Sequence, residues 1–142
     1  MRNHSDILKA LRAHQIELPS WAFGNSGTRF KVFGQPGVPR TPQEKADDAA
    51  QVHKYTGVAP SMAVHIPWDS TDDYAALAAH AKSRGIRIGT VNSNVFQDDD
   101  YKLGSVCNPD PRIRAKASLH SSTIPSDRVR KMPTKLRSNS SR

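Results

Sequence analysis

Apolar residues along this chain follow two periods in turn. "SDILKALRAHQI" sets Ile7, Leu8, Leu11 and then Ile16 at roughly helical spacing, with Ser5 as a cap candidate. "LPSWAF" reads as a short strand, and a glycine- and proline-rich excursion follows, "GNSGTRFKVFGQPGVPR". "TPQEKADDAAQVHKYTG" predicts a well-marked helix. Thr41 caps it, Pro42 suits its first turn, Glu44 completes a capping box and Gly57 stops it. Its inner stripe is Ala46, Ala49, Ala50 and His53.

The periods then alternate. "SMAVHI" predicts a strand. "STDDYAALAAHAKSRG" predicts a helix with Ser70 as its cap and Asp73 three residues on. Tyr74, Leu77, Ala78 and Ala81 form its apolar stripe, and Gly85 is its stop. "IRIGTVN" predicts another strand. "NPDPRIRAKA" opens a further helix, with Asn108 or Asp110 as cap and Pro111 in its first turn. Strands alternating with helices imply an α/β fold with a parallel sheet and right-handed crossovers. A closed barrel and an open doubly wound sheet both meet that description.

Ligand sites in either architecture lie at the carboxyl ends of the strands. The unusual residues of this chain gather there. Trp21 ends the first strand, before the loop that holds Arg29 and Phe30. His65 and Trp68 end the second, and "NSNVF", with Asn92 and Asn94, ends the third. In "AVHIPWD", Pro67 stops any ladder because it has no N–H to donate. His65 is then either a satisfied turn histidine or a group that faces a binding site. Asn92 and Asn94 either bind hydroxyls or serve the turns. No GxGxxG joins a strand to a helix and no GxxxxGK[ST] occurs, so a nucleotide phosphate loop is not supported. The aspartates of "QDDDY" read as a solvated loop. His53 and His80 show no ligand pattern, and Cys107 has no evident base beside it.

Composition narrows the class. A chain of 142 residues suits one domain, and 36% hydrophobic residues with ten prolines allow only a thin core. No apolar run is long enough to cross a membrane, and the first residues lack the unbroken apolar stretch of a signal peptide. A lone cysteine fits a reducing cytoplasm. The net charge of +8 belongs mostly to residues 118–142, which hold six Lys/Arg and one acid. That stretch has seven serines, no aromatic and no period, which predicts disorder and offers no base-stacking platform. Neither nucleic acid nor a membrane is the expected partner. A non-catalytic protein that uses the tail for nucleic acid or another acidic partner stands as the alternative.

"PSWAFGNSGTRF", "HIPWD", "NSNVFQD" and "YKLGS" occur in unbroken order between about Leu18 and Ala117. Together they resemble the amino-terminal part of the L-rhamnose isomerase family, of the type related to xylose isomerase. The resemblance implies a (β/α)8 TIM barrel that interconverts L-rhamnose and L-rhamnulose with a divalent metal, commonly manganese. It also implies a cytoplasmic homotetramer. It assigns Trp21 to the lining of the sugar pocket and Phe30 to its closure, Phe30 reaching a neighbouring subunit's site in some relatives. It assigns His65 to hydrogen bonding with the substrate. Trp68 and Asp69 match the motif, Trp68 with packing and Asp69 with a turn or cap as its alternative. Trp68, Asn92 and Asn94 are further candidates for substrate contact. A sugar's C–H faces suit indole and phenyl rings, and its hydroxyls suit an imidazole.

In that family the Glu, Asp and His metal ligands come from later strands. The sequence therefore reads as the first three β/α units of a partial barrel over residues 1–117, with no catalytic residue and no metal ligand of its own. Residues 118–142 read as a frameshift product or an acquired tail. The expected function is a segment of a sugar isomerase that is inactive by itself.

Overall fold

The computed structural model describes residues 3–28 and 30–122, so Arg29 and most of the basic tail lie outside the described residues. Three parallel strands, β1 (Glu17–Pro19), β2 (Ser61–Ile66) and β3 (Arg87–Ser93), form one sheet in the order β1-β2-β3. Four helices accompany them among the described residues: α1 (His4–Arg12), α2 (Pro42–Thr56), α3 (Tyr74–Ser83) and α4 (Pro111–Ser122). The chain is thus α/β with a parallel sheet. Parallel neighbours cannot be joined by a tight hairpin, and α2 and α3 supply the crossovers. No described helix is long and apolar enough to cross a membrane.

Side chains alternate along β2. Met62 and Val64 turn to the helices, and Ser61, Ala63 and His65 to the other face. Met62 and Val64 pack with Ala46, Ala49 and Ala50 of α2, with Tyr74, Leu77 and Ala81 of α3, and with Ile86 and Ile88. The alanines let both helices approach the sheet closely. This core is small, as the composition requires.

Helix ends follow local chemistry. Thr41 and Glu44 form the expected capping box on α2, and Gly57 ends that helix at φ +70°, where a Cβ would be strained. Asp110 Oδ1 accepts the backbone N–H of Arg112 at 2.8 Å, and Asn108 Oδ1 that of Asp110 at 2.9 Å. Two expected caps move. Asn3, not Ser5, caps α1 by accepting the Ser5 N–H. Asp73, not Ser70, caps α3 by accepting the Ala76 N–H at 2.9 Å. Ser70 is still part of the turn, its N–H bonded to the Pro67 carbonyl at 3.1 Å, so the helix starts only at Tyr74.

Three further expectations are corrected. Strand pairing in "LPSWAF" ends at Pro19, and Ser20–Ala22 form a 3-10 turn. The inner stripe of α2 is Pro42, Lys45, Ala46, Ala49 and Ala50, and His53 is only half-buried. Helix α4 runs past the boundary drawn at Ala117 as far as Ser122, because its hydrogen-bonded pattern continues where composition shifts. The helical pattern of α1 does form, yet Ile7, Leu8 and Leu11 are exposed and the helix buries no residue.

Between Met62 and Val64 the β2–β3 register shifts, and β3 passes through Gly89 and Thr90. The Glu17 side chain crosses there from β1, and its Oε1 accepts the Thr90 N–H at 3.1 Å. A Cβ on Gly89 would lie 1.5 Å from that oxygen, so the crossing requires glycine. The Glu17 carboxylate takes up a donor that the irregular ladder leaves aside.

Leu77→Ala is expected to cost about 2–5 kcal/mol of stability, because the core cannot collapse around the lost volume. Leu11→Ala on α1 is expected to stay within about 0.5 kcal/mol. Urea unfolding of the two variants checks the contrast.

Candidate functional site

The site is built on the turn that follows β2. The Ile66–Pro67 peptide bond is cis. The Asp69 N–H donates to the His65 carbonyl at 2.7 Å, and the His65 N–H donates to Asp69 Oδ2 at 2.7 Å. The turn is therefore closed at both ends by one residue. The same Oδ2 accepts the Ser20 hydroxyl, from the 3-10 turn after β1. Asp69 Oδ1 takes the Lys45 ammonium of α2 at 2.6 Å. Asp69 is fully buried and Lys45 nearly so. Buried charges are tolerated only when they are paired and hydrogen-bonded, and both conditions hold here.

Above this network His65 sits among three rings. It stacks on Trp68 with centroids 3.8 Å apart and planes at 22°. Trp21 meets it edge-on at 5.8 Å and 79°, and Phe96 at 5.7 Å and 69°. His65 is only 4% exposed, yet neither ring nitrogen has a hydrogen-bond partner among the described residues. Burial pushes its pKa below the ordinary value of 6.5; the Asp69 carboxylate opposes that shift, and the Lys45 ammonium adds to it. A neutral imidazole offers one donor and one acceptor.

The neighbouring strand completes the wall. Asn92 stands beside His65 in the β2–β3 register and is half-buried. Asn94 donates its backbone N–H to the Ile66 carbonyl at 3.0 Å and its amide to Gln97. Its side-chain Oδ1 is buried without a partner among the described residues. Unpartnered buried acceptors and donors are uncommon, and one explanation is a group that binds there. The indoles of Trp21 and Trp68 and the ring of Phe96 are partly exposed around them. The arrangement can hold a small ligand that has both apolar C–H faces and hydroxyls.

Trp21, His65, Trp68 and Asn94 thus converge, with Asn92 alongside. Phe30 does not join the rings packed on His65. It is 83% exposed on the glycine-rich loop, where Gly27 and Val32 form an antiparallel bridge. Phe96, Ser20 and Lys45 were absent from the sequence-derived set, and Asp69 stood there with an undecided role. One signal could have flagged Lys45: it occupies the apolar stripe of α2, where a charge needs a partner.

The resemblance implies a divalent metal. Among the described residues no three His, Cys, Asp or Glu side chains are grouped so as to hold one. Asp98 and Asp100, from "QDDDY", both pair with Lys116 at 2.7 Å. The described residues therefore do not fit a metal centre by themselves.

Over 121 residues the chain is 36% identical to a protein of Rhizobium meliloti (strain 1021) named probable sugar isomerase, a match that covers 81% of this chain and 28% of that protein. It is also 36% identical over 110 residues to a probable sugar isomerase of Mesorhizobium japonicum, covering 74% of this chain and 25% of the relative. The chain spans about a quarter of the length of the relatives it matches. No family model matches it. Most of the chain is therefore similar to proteins named as sugar isomerases, and those names specify no particular sugar.

Because burial holds the folded-state pKa of His65 below its unfolded value, the unfolded chain binds more protons in that interval. Stability should be fully present above pH 6.5 and be lost as pH falls below it toward the depressed folded value. Urea unfolding across that range should show the slope, and His65→Gln should flatten it.

Breaking the buried ion pair from one side should be costly. Lys45→Met is expected to lose about 3–5 kcal/mol, and Lys45→Met combined with Asp69→Asn to recover most of it. Equal losses in the single and double variants would show that the charge pairing is not what holds this turn.

Proposed function

We propose that this chain forms the sugar-binding end of the first β/α units of a (β/α)8 aldose–ketose isomerase, with L-rhamnose and L-rhamnulose as its substrate pair. The observation that carries this reading is His65: a buried imidazole whose nitrogens have no partner among the described residues, set among three aromatic rings at the carboxyl end of a parallel strand. The similarity to probable sugar isomerases supports it. A parallel three-stranded sheet with helical crossovers is compatible with a barrel segment.

On this reading the rings of Trp21, Trp68 and Phe96 lie against the C–H faces of the sugar and exclude water. His65 accepts a hydrogen bond from one hydroxyl and donates to a second oxygen. Asn94 Oδ1 accepts from another hydroxyl. Asn92 stands beside His65 as a further polar contact. Phe30, exposed on its loop, suits a ring that reaches a neighbouring subunit's site in a homotetramer. Manganese, the metal expected for a cytoplasmic enzyme of this kind, takes its ligands from outside the described residues.

Titration with L-rhamnose, followed by tryptophan emission, tests the site. A saturable change is expected, because Trp21 and Trp68 both face the ligand. His65→Ala should weaken binding about tenfold, the loss of one to two hydrogen bonds. Trp68→Ala should weaken it further by removing the stacked wall. An emission that changes only linearly with sugar up to high concentration would overturn the reading.

A further inference from the structure

We infer that Asp69 is a positioning residue for the aromatic cluster, acting with Ser20 and Lys45 to hold Trp21 edge-on against His65. The inference rests on the sugar-binding reading for what the cluster does, but its geometry stands apart from any ligand. Among the described residues no hydrogen bond fixes the His65 ring, since neither of its nitrogens has a partner there. Its position must come from its backbone and from packing. Both backbone groups of His65 are bonded to Asp69, the N–H to Oδ2 and the carbonyl to the Asp69 N–H, each at 2.7 Å.

The other rings are tied to the same carboxylate at one remove. Ser20, which donates to Oδ2, immediately precedes Trp21. Trp68, which stacks on His65, immediately precedes Asp69. Asp69 therefore divides its oxygens. Oδ2 gathers the ends of β1 and β2, and Oδ1 is anchored to α2 through Lys45 at 2.6 Å. A carboxylate that served only to attach α2 would need Lys45 alone. Ser20 spends a buried hydroxyl on the oxygen that faces the two strand ends, and this joins the cluster to the anchor. Supporting contacts of this kind set the precision of a binding site.

The test separates positioning from plain stability. Ser20→Ala removes only the link from β1 and leaves the Lys45 and His65 bonds in place. In proton NMR of the full chain, the cross-relaxation peaks between the Trp21 indole and the His65 ring should fall several-fold. The upfield ring-current shift of His65 from the Trp68 stack should persist. Ile88→Val, a core change remote from Asp69, should lower stability without touching either signal. Lys45→Met/Asp69→Ala should lose both signals, and Lys45→Met/Asp69→Asn, which keeps an acceptor, should restore them. Should the alanine double variant not fold, Ser20→Ala decides alone.

L-rhamnose affinity should fall about tenfold in Ser20→Ala, in proportion to the displaced indole. Unchanged Trp21–His65 peaks in Ser20→Ala, or an equal loss in Ile88→Val, would overturn the inference. If the peaks respond as expected but the unmodified chain binds no sugar, positioning stands and the sugar reading fails. If sugar binds and Ser20→Ala changes neither the peaks nor the affinity, the sugar reading stands and positioning fails.

Discussion

A carboxylate with no access to solvent governs this structure. Asp69 is fully buried, and a charge in that position is tolerated only if the chain brings it a counter-charge and hydrogen-bond donors. Lys45 supplies the first from α2, and the Ser20 hydroxyl and His65 N–H supply the second from the ends of β1 and β2. Helix, sheet and turn are thus held in one arrangement by the requirement that this group be satisfied. The apolar core could not impose that arrangement unaided. It is made largely of alanines with Met62, Val64, Leu77, Tyr74, Ile86 and Ile88, and such small side chains allow sliding more readily than interlocked large ones do.

The same network separates the polar duties of the turn from those of the site. All of Asp69's bonds go to backbone, hydroxyl and ammonium groups, and none goes to the His65 ring. Among the described residues the ring's hydrogen-bonding capacity is left unused inside an aromatic enclosure. Burial keeps it neutral over a wider pH range than an exposed histidine would be. A neutral ring with one donor and one acceptor suits hydroxyl groups better than it suits charged ligands. The surrounding rings are half open to solvent, which is the usual form of a site whose remaining wall is the ligand or another part of the molecule.

Exposed apolar residues elsewhere have a different character. Ile7, Leu8 and Leu11 line one face of α1, whose backbone is held by its own cap and hydrogen bonds and not by burial. Their spacing made a helix legible, but spacing alone does not say that a face is covered. Helical periodicity reports which side chains share a face, and burial depends on what else comes near.

Strands β2 and β3, the capping box of α2, its glycine stop and the parallel order of the sheet were all legible in the sequence, because each rests on contacts within a few residues or on alternation. Trp21, His65 and Trp68 were legible as candidates because they stand at strand ends, where a parallel sheet leaves room for ligands. Placing the caps of α1 and α3 required the turn geometry, since Ser70 and Asp73 are equally good capping residues by type. Phe96 was not legible at all, and of Asp69 only a turn or cap role was legible, not its partners. The Asp69 contacts with Lys45 and Ser20 span 24 and 49 residues of sequence, and no local pattern records which buried lysine will meet which carboxylate. Local periodicity and capping chemistry determined the elements. Only the tertiary structure decided their union around one buried charge, because electrostatic satisfaction depends on distances in space and not on separation along the chain.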